Sequence, residues 1–182
     1  MIKSKEDLKY YIEQDRIMNK EKQCAPYLFT FYNYYKKIWN YLVYLRKCEY
    51  YSNRGGVLSK IPACYYKARK EMLGGKLGFS IPINTCEEGL CLHHYGSIVV
   101  STQAKVGKNC YMVGDVFIGQ TGKPGAPILG DNVGIGAGAK VIGPVHVGSN
   151  VRIGANAVVT KDIESNVKVA GVPAKVISKF EA

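Results

Sequence analysis

The sequence predicts a mainly β protein in which a solenoid of six-residue repeats follows a small α-helical region. Between residues 100 and 159 an aliphatic residue or Met occupies every sixth position, apart from one interruption. A period of six fits neither an α-helix, with about 3.6 residues per turn, nor an ordinary strand. Glycine follows most of these positions, which suits a sharp bend between short strands, and three strands would form one coil of a triangular prism. The ten positions are Val100, Val106, Met112, Ile118, Leu129, Ile135, Val141, Val147, Ile153 and Val159.

Charge and aromatic residues divide the chain into two parts. Residues 1–76 hold 16 Lys or Arg and 7 Asp or Glu, a net charge of +9, whereas residues 77–182 hold 9 and 7, a net charge of +2. Twelve of the 14 tyrosines also lie in the first part. We therefore expect a basic, Tyr-rich α-helical region over 1–76 and a β-helix domain with a C-terminal tail over 77–182.

Three helices are predicted in the N-terminal region. Ser4 is followed by acidic residues, a pattern typical of an N-cap, and predicts a helix over 5–18. A second helix is expected over 27–51. A third is expected over 59–73, ended by the pair Gly74 and Gly75.

The second predicted helix carries many large aromatic side chains with basic residues among them, in the stretch YLFTFYNYYKKIWNYLVYLRKCEYY. One interpretation is that the rings pack helix on helix and against the first coil. The other is an amphipathic surface that places Tyr and Trp at a membrane interface beside Lys and Arg. Nucleic acid is not an expected partner, because no nucleic-acid motif accompanies the basic residues.

The sequence indicates neither a membrane-spanning segment nor an oxidising compartment. The N-terminal stretch MIKSKEDLKYYIEQ has no apolar signal-peptide core, and no apolar run approaches the ~18 residues of a spanning helix. We expect a cytoplasmic protein, with the inner membrane surface as the alternative location. The six cysteines form no CxxC pair, so reduced thiols and no metal site are expected.

Several segments of the repeat region resemble the catalytic domain of serine acetyltransferases and related O-acetyltransferases. They are HHYGSIVV (93–100), IGQTGK (118–123), IGAGAKVIGPV (135–145), IGANAVVTKDI (153–163) and AGVPAKVI (170–177). The resemblance covers almost half of the chain. It implies a left-handed parallel β-helix of hexapeptide repeats, a homotrimer, and acetyl-CoA as the acyl donor.

The resemblance also implies roles for individual residues. His94 matches the catalytic histidine, the base that takes the proton of the acceptor hydroxyl. Other positions match the acetyl-CoA site. There, small residues at bends would line the pantetheine channel, a backbone N–H would donate a hydrogen bond to the oxyanion, and Lys would bind phosphate. The matching positions are Gly119, Ala137, Ala155, Thr160, Lys161 and Lys175. The six-residue phase alone favours another interpretation of His94, a buried core histidine, because it lies six residues before Val100.

The pattern departs from that of the serine enzymes in three places, the first of which is His93, where those enzymes carry an acid directly before the catalytic histidine. The family pairs its catalytic histidine with an Asp that would fall near residues 79–80, where this chain has no carboxylate; Glu87 or Glu88 is the nearest alternative. The spacing between residues 118 and 129 exceeds six by five residues, which predicts a loop projecting from an edge of the prism. That loop has Gly125 and Ala126 where the serine enzymes carry an Arg-His pair for the substrate carboxylate.

The sequence therefore predicts an acetyl-CoA-dependent O-acetyltransferase that acts on L-serine or on a sugar hydroxyl of a surface polysaccharide or its precursor. The missing Arg-His pair favours the sugar, and the overall resemblance favours serine. One alternative is a non-catalytic trimeric β-helix that only binds a partner. Another is a zinc-dependent β-helix carbonic anhydrase, which the spacing of His93, His94 and His146 fits poorly. His146 lies one residue before a buried position and is expected on the surface.

Overall fold

Three α-helices open the chain in a computed structural model that describes residues 1–19, 29–122 and 124–180, without the side chains of 29–34. They are α1 (Lys5–Met18), α2 (Phe29–Arg54) and α3 (Val57–Leu77). The bounds of α1 are those predicted. The Ser4 hydroxyl accepts a hydrogen bond from the Asp7 N–H, and the Asp7 carboxylate accepts one from the Ser4 N–H, so a capping box fixes the start of this helix.

The predicted end of the third helix is wrong. The helix α3 continues through Gly74 and ends at Leu77, and Gly78 adopts the left-handed conformation, with a φ of 80°. A Cβ at Gly74 would lie 2.5 Å from the carbonyl oxygen of Phe79 and 3.1 Å from the ring of Tyr41. This glycine therefore serves close packing against the strand that begins at Phe79 and against Tyr41 of another helix, which a local stop signal does not reveal.

Fourteen short strands follow in the described part of the chain. They are β1 (Phe79–Ser80), β2 (Cys91–Leu92), β3 (Ile98–Val100), β4 (Lys105–Val106), β5 (Tyr111–Met112), β6 (Val116–Gly119), β7 (Ile128–Leu129), β8 (Gly134–Ile135), β9 (Lys140–Ile142), β10 (His146–Val147), β11 (Arg152–Ile153), β12 (Val158–Val159), β13 (Val167–Ala170) and β14 (Lys175–Lys179). They form a first sheet in the order β1-β3-β6-β9-β12, a second sheet β4-β7-β10 and a third sheet β2-β5-β8-β11-β13-β14. All pairs are parallel except β13 with β14, so the chain winds as a parallel β-helix and then reverses.

The interior of the prism is filled by the predicted six-residue series. All ten predicted positions are buried, with no more than 3% of each residue exposed. Residues of successive coils pair in register, as Met112 does with Ile135 and Ile118 with Val141. Each coil therefore buries its aliphatic side chains against the same positions one coil away, and the prediction from the period is confirmed.

The edge between the second and third sheets carries a column of asparagines. Asn109, Asn132, Asn150 and Asn166 all have a φ between 55° and 62°. Each side-chain amide donates a hydrogen bond to the next along the column, at 2.8–3.1 Å. Asparagine tolerates the left-handed conformation better than most residues, so it serves here in place of the glycine expected at bends.

A buried ion network joins the helices to the first coil. Arg46 on α2 donates to Asp15 on α1 at 2.7 Å and to Glu49 at 3.0 Å, and these three residues are at most 2% exposed. The remaining guanidinium N–H groups reach the carbonyl oxygens of Cys86 and Glu87, at 2.8 and 2.7 Å. Every charge in the network is therefore compensated by a short polar contact.

The aromatic helix α2 packs inward. Tyr41, Leu42 and Leu45 are buried in the same core as Phe79 and the coil residues. The packing interpretation therefore holds for this part of the helix, while residues 27–28 and the side chains of 29–34 lie outside the description. No helix in the described ranges is both long and apolar enough to cross a membrane.

Candidate active site

His94 lies on the edge of the prism between the third and first sheets, in the bend that follows β2. Its backbone N–H donates to the carbonyl oxygen of Val113 at 2.8 Å, which ties the bend to the next coil. Gly114 of the next coil places no side chain beside His94, and a Cβ there would lie 3.7 Å from the Cβ of His94. The His94 residue is exposed, and the interpretation of a buried core histidine is wrong.

A row of three aromatic rings leads to this imidazole. The His93 ring packs edge-on against His94, with ring centroids 4.5 Å apart and planes at 86°. Its other neighbour is the ring of Tyr111, 5.4 Å away on the outer face of the third sheet. His93, half-buried, therefore limits the rotation of His94 on one side.

Two of the predicted cofactor residues continue the same edge. Ala137 and Ala155 occupy the equivalent bends of later coils, and both are exposed. The Gly138 N–H donates to the Gly114 carbonyl at 2.9 Å, and the Asn156 N–H donates to the Ala137 carbonyl at 2.8 Å. We call the line formed by His94, Gly114, Ala137 and Ala155 the histidine edge. Its small side chains leave an open strip that runs from the imidazole along the prism.

Lys175 begins β14, directly after the bend at 171–173 that ends the last coil on this side. It pairs with Ala170 in the antiparallel register and is exposed. The neighbouring Ala174 N–H donates to the Val158 carbonyl at 2.8 Å, which holds the returning strand on the coil above. The ammonium group of Lys175 therefore lies at the opposite end of the prism from His94.

The other three predicted cofactor residues lie on a different edge, between the first and second sheets. Thr160 and Lys161 follow β12 and are exposed. Gly119 ends β6 and is buried, because the ring of Phe117 lies where a Cβ at Gly119 would be, 2.3 Å away. Within one chain the structure therefore brings His94, Ala137 and Ala155 onto one line and places Gly119, Thr160 and Lys161 elsewhere.

The predicted projecting loop connects β6 to β7 on that second edge. Gly125, with a φ of 103°, packs against the next coil, where a Cβ would lie 2.7 Å from the Cβ of Pro144. Among its described residues, 120–122 and 124–127, the loop carries no charged side chain. Lys123 lies outside the described residues.

The carboxylates near His94 in sequence are held in other contacts. Glu87 accepts a hydrogen bond from the Tyr11 hydroxyl, and Glu88 pairs with Lys108 at 3.1 Å. Burial acts to raise the pKa of Glu88, but a backbone hydrogen bond and the contact with Lys108 outweigh it, so this pKa lies below its ordinary value. Asp115 is not among the residues predicted from the sequence; its carboxylate accepts a hydrogen bond from the Ser97 N–H at 3.0 Å and so fixes the bend after His94. The six-residue phase could have indicated it, since Asp115 falls at a bend.

A groove of about 440 Å³ opens on the outer face of the third sheet, between the asparagine column and Gly136. Tyr111, Gly134, Gly136 and Arg152 contribute to its wall. A Cβ at Gly134 would lie 2.8 Å from the Cδ of Arg152, so the arginine side chain extends across the space that this glycine leaves. Arg152 is exposed, and it gives the groove a fixed positive charge.

The coils and the row of small residues at their bends define the fold, a left-handed parallel β-helix of hexapeptide repeats. A family model described as bacterial transferase hexapeptide (six repeats) matches residues 126–161. Among curated proteins, the serine acetyltransferases of Synechococcus elongatus and Mycobacterium tuberculosis are each 42% identical to this chain over 93 residues. These alignments cover 50% of this chain and 38% and 41% of the two relatives, so the chain spans about half the length of its curated relatives or less.

Solved structures extend the likeness to nearly the whole chain. The serine acetyltransferase of Neisseria gonorrhoeae superimposes with a TM-score of 0.70 at 26% identity, covering 96% of this chain and 66% of that one. That of Brucella abortus in complex with coenzyme A gives 0.72 at 23% identity, covering 98% and 70%. The predicted fold and the predicted resemblance to the serine acetyltransferase-like hexapeptide-repeat family are confirmed.

Proposed function

We propose that the protein is an acetyl-CoA-dependent O-acetyltransferase with His94 as its catalytic base. The observation that carries the proposal is the histidine edge, where an exposed imidazole heads a strip of small residues in successive coils. An extended pantetheine arm could lie along such a strip, with backbone N–H and C=O groups beside its amides. The names of the curated relatives and the coenzyme A complex of the Brucella abortus protein support the same reaction class.

The reaction needs one proton acceptor and no covalent enzyme intermediate. The His94 imidazole takes the proton of the acceptor hydroxyl while the hydroxyl oxygen attacks the thioester carbonyl carbon. The carbonyl electrons move to an oxyanion, which a nearby N–H donor would stabilise. When the carbonyl re-forms, the C–S bond breaks, and the thiolate of CoA takes the proton back from the imidazolium. The acetyl ester and free CoA result, with His94 neutral again.

A neighbouring chain would complete the site. Thr160 and Lys161 lie on an edge other than that of His94, so they join the same site only if another subunit presents them. In a homotrimer that packs three prisms side by side, an edge of one chain faces an edge of the next. In this arrangement Thr160 and Lys161 of one subunit would bind the nucleotide end of the acetyl-CoA that lies along the histidine edge of its neighbour.

L-serine is the acceptor that the relatives' names favour. A second candidate, a sugar hydroxyl of a polysaccharide or its precursor, is favoured by the projecting loop. This loop has Gly125 and Ala126 where the serine enzymes carry an Arg-His pair for the substrate carboxylate, although its sequence also contains Lys123.

The test measures thiol release from acetyl-CoA by wild type, His94→Ala and the control His146→Ala. His146 is also exposed, on β10, but lies on another sheet, so its loss should leave the rate unchanged. Loss of His94 should lower the rate by roughly 10²- to 10⁴-fold. Turnover with L-serine alone assigns the serine reaction, and turnover with glycans alone assigns the sugar. If no acceptor is turned over, the non-catalytic alternative replaces this proposal.

A further inference from the structure

The helix α3 exposes an apolar stripe that the fold does not use. Leu58, Ile61, Tyr65, Ala68 and Met72 follow one another at intervals of three and four residues, which places them on one face of the helix. All five are exposed, Leu58 at 90% and Ile61 at 76%. We call these five residues the α3 stripe.

The opposite face of α3 holds the helix on the molecule. The ring of Tyr66 stacks on that of Tyr51 of α2, with centroids 5.6 Å apart and planes at 10°. Lys70, Gly74 and Leu77 are buried on the same side. In the part of the chain that the structure describes, nothing covers the α3 stripe, and the contacts that hold α3 on the molecule lie on its other face. A contiguous apolar surface of this kind marks an interaction site.

The charges of α3 indicate what binds there. Arg69 and Lys76 lie beside one margin of the stripe, Lys60 and Lys67 lie further round the helix on the other side, and all four are exposed. Glu71, the single acid of the helix, forms an ion pair with Lys70 at 2.9 Å. An apolar face on a helix whose other exposed side chains are mostly cationic is the pattern of a helix that lies in the plane of a membrane surface.

We propose that α3 docks the protein on an anionic lipid surface, with the α3 stripe in the acyl boundary and the flanking Lys and Arg at the headgroup phosphates. The excess of positive charge over residues 1–76, +9, adds to this attraction. It also disfavours a second copy of the chain as the partner, because two α3 helices would bring like charges together. The surface differs from the one expected from the sequence, since α2 buries its aromatic face and α3 presents its own.

The test is co-sedimentation of the full-length protein with vesicles of phosphatidylcholine alone or phosphatidylcholine containing 30% phosphatidylglycerol. Wild type should bind the anionic vesicles and not the zwitterionic ones, and binding should fall as salt is raised. The variant Leu58→Ser/Ile61→Ser should bind at least about tenfold more weakly. The matched control is Val176→Ser/Ile177→Ser, which removes two exposed aliphatic residues from β14 and should bind as wild type does.

A second variant tests the charges separately. Lys60→Gln/Lys67→Gln should weaken binding to the anionic vesicles and flatten its salt dependence while the stripe is intact. Wild type that binds neither vesicle, or stripe variants that bind as wild type does, would overturn the proposal. Sedimentation velocity without lipid gives the competing outcome: if Leu58→Ser/Ile61→Ser lowers the molecular mass of the assembly, the stripe is an interface between copies of the chain.

Discussion

The helical region and the β-helix of this protein are stabilised in different ways. The β-helix repeats one device, an aliphatic side chain stacked on its counterpart one coil away, at ten positions that are no more than 3% exposed. The helices are fixed to its first coil by an arrangement that occurs once, in which Arg46 is enclosed by two carboxylates and two carbonyl groups. A repeated device distributes stability over many similar contacts, whereas a single network makes a whole region depend on one side chain.

The largest effect expected from this comparison is that of Arg46→Met. It leaves the carboxylates of Asp15 and Glu49 buried without a cation, and we expect a loss of about 3–5 kcal/mol in the free energy of unfolding. Arg16→Met is the matched control, because Arg16 pairs with Glu13 at 2.7 Å on the surface, where an ion pair contributes about 0–1 kcal/mol. Urea denaturation followed by circular dichroism measures both, and similar losses in the two variants would contradict the dependence on the buried network.

A truncation in the β-helix should cost somewhat less. Ile135→Ala removes a fully buried side chain from the row that includes Met112 and Ile153, and we expect a loss of about 2–4 kcal/mol. Ile128→Ala is the control, since Ile128 on β7 is 43% exposed and should lose less than about 1 kcal/mol. A loss at Ile135 as small as that at Ile128 would show that the coils absorb a cavity by collapsing.

The same difference explains how much of the fold the sequence could predict. The interior of the β-helix follows from a period that any stretch of the repeat displays, so all ten positions were identified. The contacts of Arg46 join residues 31 and 41 positions apart, Asp15 and Glu87, and no local pattern signals them. Gly74 was misread for the same reason, because the packing that requires a glycine there involves Tyr41 of another helix.

The residues of the candidate site could be predicted from the sequence, but their positions relative to one another in the fold could not. Matching motifs identified His94, Ala137 and Ala155, and the structure lines them up on one edge. The phase of the repeat gave the wrong burial for His94, because the bend after β2 departs from the regular coil. Thr160 and Lys161 lie on another edge because of the bend of the coil that they occupy. The motif alone does not specify that bend.

A smaller effect is expected from the asparagine column at the edge of the β-helix. Asn132→Ala removes amide hydrogen bonds to Asn109 and Asn150 and places a Cβ without a polar group at a φ of 57°. We expect a loss of about 1–2 kcal/mol in the free energy of unfolding. Asn132→Gly loses the same bonds but tolerates the backbone conformation, so it should lose less. Equal losses would assign the role of the column to hydrogen bonding alone.

The smallest effect concerns the one part of the helical region that local sequence does predict, the capping box of α1. Hydrogen bonds from the Lys3 and Ser4 N–H groups lower the pKa of Asp7 below its ordinary value of 3.8. Because the folded state lowers this pKa, the stability that Asp7 contributes is complete above the ordinary value and is lost as the pH falls through the folded pKa. Asp7→Asn should therefore lower the Tm slightly at pH 7, and the difference from wild type should shrink below about pH 4. Glu6→Gln removes a charge from the same turn and leaves the capping box intact, so a difference that shrinks equally in both variants would point to the helix dipole and not to the cap.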